Sequence, residues 1–243
     1  MIHVGCCGFP KGMRRYFDDF EVVEVQSTFY KLPRIETARR WRETAPKGFE
    51  FALKAWQLIT HHPQSPTYRK AKIDIPVKER SKYGSFKPTE GVFDAWERTR
   101  EICEALGSKI AVFQCPATFK PIHENIENMV AFFNSIERKN LNFAWEPRSK
   151  EWPDSKIEEL CEDLDLIHCV DPFARDPVCI GDIVYLRLHG FPPGKRMYMY
   201  KYRMGDLREL SEKCASFDKA GVVYCLFNNV SMYEDAKRFR EML

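Results

Sequence analysis

Eight short apolar runs recur along the chain, and most are separated by a stretch with helical spacing. The runs are Ile2 to Gly8, Val22 to Gln26, Phe49 to Trp56, Lys109 to Gln114, Leu141 to Glu146, Leu166 to Val170, Ile183 to Gly190 and Gly221 to Phe227. Dense apolar runs of this length, closed by Gly, Pro, Asp or Asn, read as strands buried on both faces. The second run continues through Ser27-Thr28-Phe29-Tyr30 before Pro33 breaks it. Lys11 to Phe20 is a short amphipathic connection. Helices are expected over 35–44, over 90–106 with Thr89 as N-cap and Gly107 as stop, over 122–138, from Asp154 to about Asp163, over 205–220 and over 233–243. Gln57 to Lys87 shows neither period and is expected to be an irregular loop insertion.

Strands that alternate with helices imply a parallel sheet. Eight such units in 243 residues match a (β/α)₈ TIM barrel of one domain, residues 1–243, with a long insertion after the third strand. An open α/β sheet is the other arrangement, but no G-x-G-x-x-G turn follows the first strand. In such barrels chemistry sits at the C-terminal strand ends. Residues two apart in a strand share a face, so Arg187 and His189 point the same way, as do Glu24 and Gln26. The expected rim holds Glu24, Gln26, Thr28, Tyr30, Lys54, Gln114, Glu146, Arg148, Asp171, Arg187, His189, Asn228 and Asn229.

Charge adds little. Lys and Arg total 38 against 35 Asp and Glu, a formal net charge of +3, which permits an anionic ligand without demanding nucleic acid. No run approaches the roughly 20 apolar residues that span a bilayer, and no leader pattern precedes the first strand. A cytoplasmic protein with no membrane partner is expected. The nine cysteines are scattered, with no C-x-x-C pair, and read mostly as small buried hydrophobes. Cys6, Cys7, Cys115 and Cys225 fall near strand ends, and Cys6 or Cys7 could approach Cys225 across the first and eighth strands.

Several of these segments carry a resemblance. They are Val23-Glu24-Val25-Gln26-Ser27-Thr28-Phe29-Tyr30, Phe51-x-x-Lys54-Ala55 with Thr60-His61, Phe113-Gln114-x-Pro116, Trp145-Glu146-x-Arg148, Leu186-Arg187-x-His189-Gly190 and Phe227-Asn228-Asn229. Together they resemble the DUF72 (YecE-like) family, which implies a TIM barrel with no established activity. That family's similarity to xylose-isomerase-like enzymes, endonuclease IV among them, adds a nuclease-like reading by analogy of fold. Gly5-Cys6-Cys7-Gly8-Phe9 departs from the family's Gly-Thr/Cys-Ser-Gly-Trp start.

The rim chemistry points first to an enzyme, a hydrolase or lyase, acting on a small phosphorylated or carboxylated substrate. Lys54, Arg148 and Arg187 would bind the anion, because guanidinium forks match such oxygens. Glu146 or Glu24 would serve as acid or base, and His189 as a second. Gln26, Thr28, Tyr30, Gln114, Asn228 and Asn229 would contact the substrate, the two asparagines orienting it or stabilising an oxyanion. Arg187→Ala is expected to abolish activity with the melting temperature nearly unchanged. No metal and no cofactor are expected. A metal-dependent phosphodiesterase is the second reading, limited by six histidines of which only His189 ends a strand. A nucleic-acid-binding module is the third, using the basic stretch 69–87 with Tyr68, Tyr83 and Phe86. Basic residues Lys195, Arg196 and Lys201 also mark the loop after the seventh strand. A structural ring of salt bridges among Glu24, Lys54, Glu146 and Arg187 is the alternative to all three.

Overall fold

A computed structural model of the chain describes residues 1–192, 194 and 196–243. Lys195, expected among the basic loop residues, lies outside the described residues, as does Pro193. Eight parallel strands close into a barrel in chain order, each paired with its sequence neighbours and β8 with β1. The strands are β1 (Ile2–Cys6), β2 (Val22–Val25), β3 (Glu50–Lys54), β4 (Ile110–Gln114), β5 (Asn142–Glu146), β6 (Leu166–Val170), β7 (Ile183–Leu188) and β8 (Val222–Phe227). The helices are α1 (Met13–Asp19), α2 (Ser27–Tyr30), α3 (Ile35–Thr44), α4 (Gln57–Thr60), α5 (Pro66–Ala71), α6 (Glu90–Leu106), α7 (His123–Ser135), α8 (Asp154–Asp163), α9 (Met204–Ala215) and α10 (Met232–Met242). β6 and β7 are joined without a helix. Among the described residues no helix is long and apolar enough to cross a membrane.

The pleat sorts the strand residues into two cores. One set, including Phe51, Leu53, Phe113, Phe143, Trp145, Leu186 and Phe227, packs outward against the helices. The other set, Val22, Ala52, Ile110, Val112, Ala144, Cys169, Tyr185, Tyr224 and Leu226, fills the barrel itself. The next residue on that inner side is two positions on. In five strands that residue still lies within the strand and is polar: Glu24, Lys54, Gln114, Glu146 and Arg187. The barrel is therefore an apolar plug with a polar layer at its C-terminal mouth.

The segment after β3 departs from the expected irregular loop. It holds α4, α5 and a 3₁₀ turn (Val77–Lys82). Backbone N–H groups of Gly84, Ser85 and Phe86 donate to the carbonyls of Leu58, Thr60 and Ile59. Tyr68 and Phe86 are buried, and Phe86 packs against Phe113, Phe119, Phe132 and Phe133. This burial removes two of the three aromatics expected to stack on nucleic acid. The apolar anchors are widely spaced, so no local period announces them. We expect Phe86→Ala to cost about 3–5 kcal/mol in denaturant unfolding. A loss below about 1 kcal/mol would mark the segment as loosely attached.

The second run also turns early. The chain leaves the strand after Val25 and winds into α2 from Ser27. Thr28 Oγ1 lies 2.7 Å from the carbonyl oxygens of both Val25 and Lys54, sharing one proton between them and tying α2 to β3. The short connection before β2 contains α1, with Tyr16 buried beneath it. The Tyr16 hydroxyl accepts from the Cys6 N–H at 2.7 Å and donates to the Val22 carbonyl at 2.7 Å.

Candidate active site

Arg187 is the next-to-last residue of β7 and points inward, and its side chain is 0% exposed. One terminal nitrogen donates to Glu24 Oε1 at 2.9 Å, and the other bonds Glu146 Oε2. Glu24 Oε2 accepts from the Tyr185 hydroxyl at 3.0 Å, one layer deeper. Glu146 Oε1 accepts from Arg148 Nε at 2.9 Å. Two carboxylates and two guanidiniums thus alternate across the mouth. Burial alone would push the Glu146 carboxyl up. The charges of Arg148 and Arg187 hold it well below the usual carboxylate range instead.

Arg148 and His189 stand at the solvent side of this layer. Arg148 Nη1 donates to the Tyr198 hydroxyl at 2.7 Å, and Nη2 lies 2.5 Å from His189 Nε2. A guanidinium has no acceptor, so Nε2 must accept and the imidazole proton sits on Nδ1. Nδ1 lies 3.4 Å from Asp171 Oδ2, and that same oxygen accepts from the His189 backbone N–H at 2.8 Å. Burial and Arg148 push the imidazole below its ordinary value, with Glu146 and Asp171 pulling the other way. His189 is accordingly neutral at neutral pH.

Tyr198 comes from the loop after β7, and a glycine brings it there. Gly190 has φ 106°. A Cβ on it would lie 2.1 Å from the Met197 carbonyl oxygen, so the loop can fold onto the strand end only over a glycine. Nothing in the sequence spacing singled out Tyr198. Asp171, legible as a strand-end residue, gains its role only through the position of His189.

Glu146, Arg148, Asp171 and His189 line a cavity of about 450 Å³ between the ends of β5, β6 and β7, with Lys150 and Arg175 also on its wall. The remaining expected site residues lie elsewhere. Lys54 ends β3, and its amine donates to Gln114 Oε1 at 2.6 Å while sitting 3.9 Å from the centre of the Phe29 ring. Burial, then the positive charges of Arg187 and Arg148, lower this amine to about 7. It bonds an amide where the salt-bridge ring required a carboxylate. Gln26 Nε2 donates to Asn228 Oδ1 at 2.7 Å. Asn229 Nδ2 donates to the Tyr200 carbonyl and to Asp235 Oδ2, at 2.8 and 2.6 Å, which ties β8 to α10. Tyr30 meets Lys70 on an exposed surface.

The thiols do not converge. Cys7 and Cys169 face into the barrel, whereas Cys6, Cys115 and Cys225 face the helices. Cys225 Sγ is 3.5 Å from Cys214 Sγ, so it meets a helix residue in place of the expected Cys6 or Cys7. The two strand-one thiols point to opposite sides because they are adjacent in the pleat. Burial pushes the Cys6, Cys7 and Cys115 thiols far above their ordinary value. Among the described residues no three His, Cys, Asp or Glu side chains gather as a metal-holding group.

Comparison with known proteins agrees with this architecture. The Bacillus subtilis (strain 168) UPF0759 protein YunF is 22% identical, with 100% of this chain and 94% of YunF covered. Crystal structures of DUF72 family proteins from Enterococcus faecalis V583 and Thermotoga maritima MSB8 superpose with TM-scores of 0.75 and 0.74 at 19% and 21% identity. These cover 100% of this chain and 97% and 98% of theirs. Endonuclease IV from Thermus thermophilus shares the barrel at a TM-score of 0.53 and 12% identity, over 99% of this chain and 97% of its own. The family model described as "Protein of unknown function DUF72" matches residues 8–243, and the chain belongs to that family of TIM-barrel proteins.

Proposed function

We propose that this barrel is an enzyme that takes a small carboxylated or phosphorylated substrate into the cavity between β5, β6 and β7 and moves a proton with His189. The observation that carries this reading is the Arg148–His189 contact at 2.5 Å on the cavity wall. In the structure Arg148 occupies the lone pair of a neutral imidazole. An anion that draws the guanidinium into a bidentate contact frees Nε2 as a general base. Asp171 beside Nδ1 orients the ring and stabilises the imidazolium that forms. Glu146 stays ionised, so it orients Arg148 and Arg187 and exchanges no proton at neutral pH. Arg187, enclosed and bonded through both terminal nitrogens, supports that carboxylate from beneath. The chemistry is that of a lyase or hydrolase, and the other strand-end side chains shape the mouth.

The nuclease reading drawn from endonuclease IV finds no support in the donor set at this mouth. Arg148 and Arg187 occupy the carboxylates that a cation cluster would need.

Thermal unfolding in phosphate or citrate, against chloride at matched ionic strength, tests the anion site. A ligand at a hundred times its Kd stabilises the fold by about 2.7 kcal/mol, a rise of roughly 5–10 °C for a chain of this size. We expect that rise in the wild type and in His189→Gln, and its loss in Arg148→Ala. An equal rise in Arg148→Ala would remove the proposed anion contact.

A further inference from the structure

We propose that Lys54 is an amine nucleophile that forms an imine with a carbonyl carbon of the substrate. The proposal rests on the anion-binding reading of the same mouth and adds the substrate class: an anionic aldehyde or ketone.

The geometry around the nitrogen carries it. Lys54 is the last residue of β3, on the inner side of the pleat above Ala52, and is 6% exposed. The two carboxylates whose charge reaches it, Glu146 and Glu24, are both committed to arginines. Its one hydrogen-bond acceptor among the described residues is Gln114 Oε1. That amide cannot turn away, because its Nε2 donates to the Cys115 carbonyl at 2.9 Å. An ammonium offers three donors, and this site supplies one acceptor and the face of Phe29. A neutral amine gives one proton to Gln114 and keeps a lone pair.

The positive charges on Arg187 and Arg148 act in the same sense, leaving a substantial unprotonated fraction at neutral pH. Surface lysines near 10.4 have almost none. Buried amines beside other cations are activated for Schiff-base chemistry in this way.

The step balances without an oxidant or reductant. The nitrogen lone pair adds to the carbonyl carbon, and the carbon–oxygen bond then breaks. Both amine protons leave with that oxygen as one water, and the nitrogen–carbon double bond remains. When protonated, the imine draws electrons from the adjacent carbon and makes its hydrogen acidic.

Reductive trapping with sodium cyanoborohydride at pH 7 tests this, using glyoxylate as the anionic aldehyde and propanal as a neutral one. Peptide mass spectrometry reads the adduct at each lysine. We expect Lys54 to label about tenfold or more faster than the surface lysines. Lys54→Arg, checked for folding by circular dichroism, should lose that fast adduct. Arg148→Ala should slow labelling by glyoxylate more than by propanal, because both lose the charge that helps deprotonate the amine and only glyoxylate also loses its anion contact. Labelling spread over surface lysines, with none on Lys54 from either aldehyde, overturns the imine. Fast Lys54 labelling by both aldehydes, slowed to the same extent in Arg148→Ala, keeps the imine and removes the anion site.

Discussion

Replacing Arg187 with alanine is expected to lower folding stability by about 3–5 kcal/mol, because it leaves the buried Glu24 without a counter-ion and Glu146 with Arg148 alone. For a chain of this size that is a fall in melting temperature of roughly 6–20 °C. The structure therefore replaces the expectation, drawn from the sequence, that this variant would melt near the wild type. Strand-end position suggested a side chain reaching substrate. The structure shows a guanidinium with 0% exposure, bonded to Glu24 on one side and Glu146 on the other. A second variant separates lost packing from stranded charge. Glu24→Leu, Arg187→Met and Glu146→Leu together should recover much of the loss, since an apolar set of similar volume often matches a buried ion network. Equilibrium denaturation of both proteins reads the result. An unchanged melting temperature for Arg187→Ala would show that Glu24 and Glu146 do not depend on it.

Lys54→Met should change how stability depends on pH more than any other single replacement at the mouth. The sign follows from proton counting. In the unfolded chain this amine holds its proton up to about 10.5, and in the fold it gives the proton up near 7. Between those values the unfolded state binds more protons, so wild-type stability rises with pH. Below 7 both states are protonated and the fold bears the whole penalty of a buried ammonium. Methionine has no proton to release. The stability difference, wild type minus Lys54→Met, should therefore climb from pH 7 to pH 10.5 by on the order of 4 kcal/mol. Losing the Gln114 hydrogen bond shifts that difference at every pH without changing its slope. Urea unfolding at half-unit pH intervals measures it, and a flat difference would mean that Lys54 keeps its proton in the fold.

Some elements were legible because their signals are local. Thr89 caps α6 through its side chain, and Gly107 ends it at φ 63°, where an unbranched Cα is favoured. α3 and β6 begin and end where their periodicity does. The strands were readable because both faces are buried, which forces an unbroken apolar run. α1, α4 and α5 were not, because helices of four to seven residues draw their stability from what they pack on. The inward direction of Glu24, Lys54, Gln114, Glu146 and Arg187 follows from strand alternation once a buried neighbour is known. Their partners do not. Glu24 meets Arg187 across 163 positions, and Gln26 meets Asn228 across 202.

Alternating apolar runs and helical stretches were enough to determine a closed (β/α)₈ barrel and the layer at which its polar side chains emerge. Backbone hydrogen bonding and burial act over a few residues and leave their period in the chain. Only the tertiary structure decided which charges neutralise one another. Closing the barrel gave Arg187 two carboxylates and Lys54 none. That choice depends on distances of a few ångströms between strands far apart in sequence, where burial magnifies every unpaired charge.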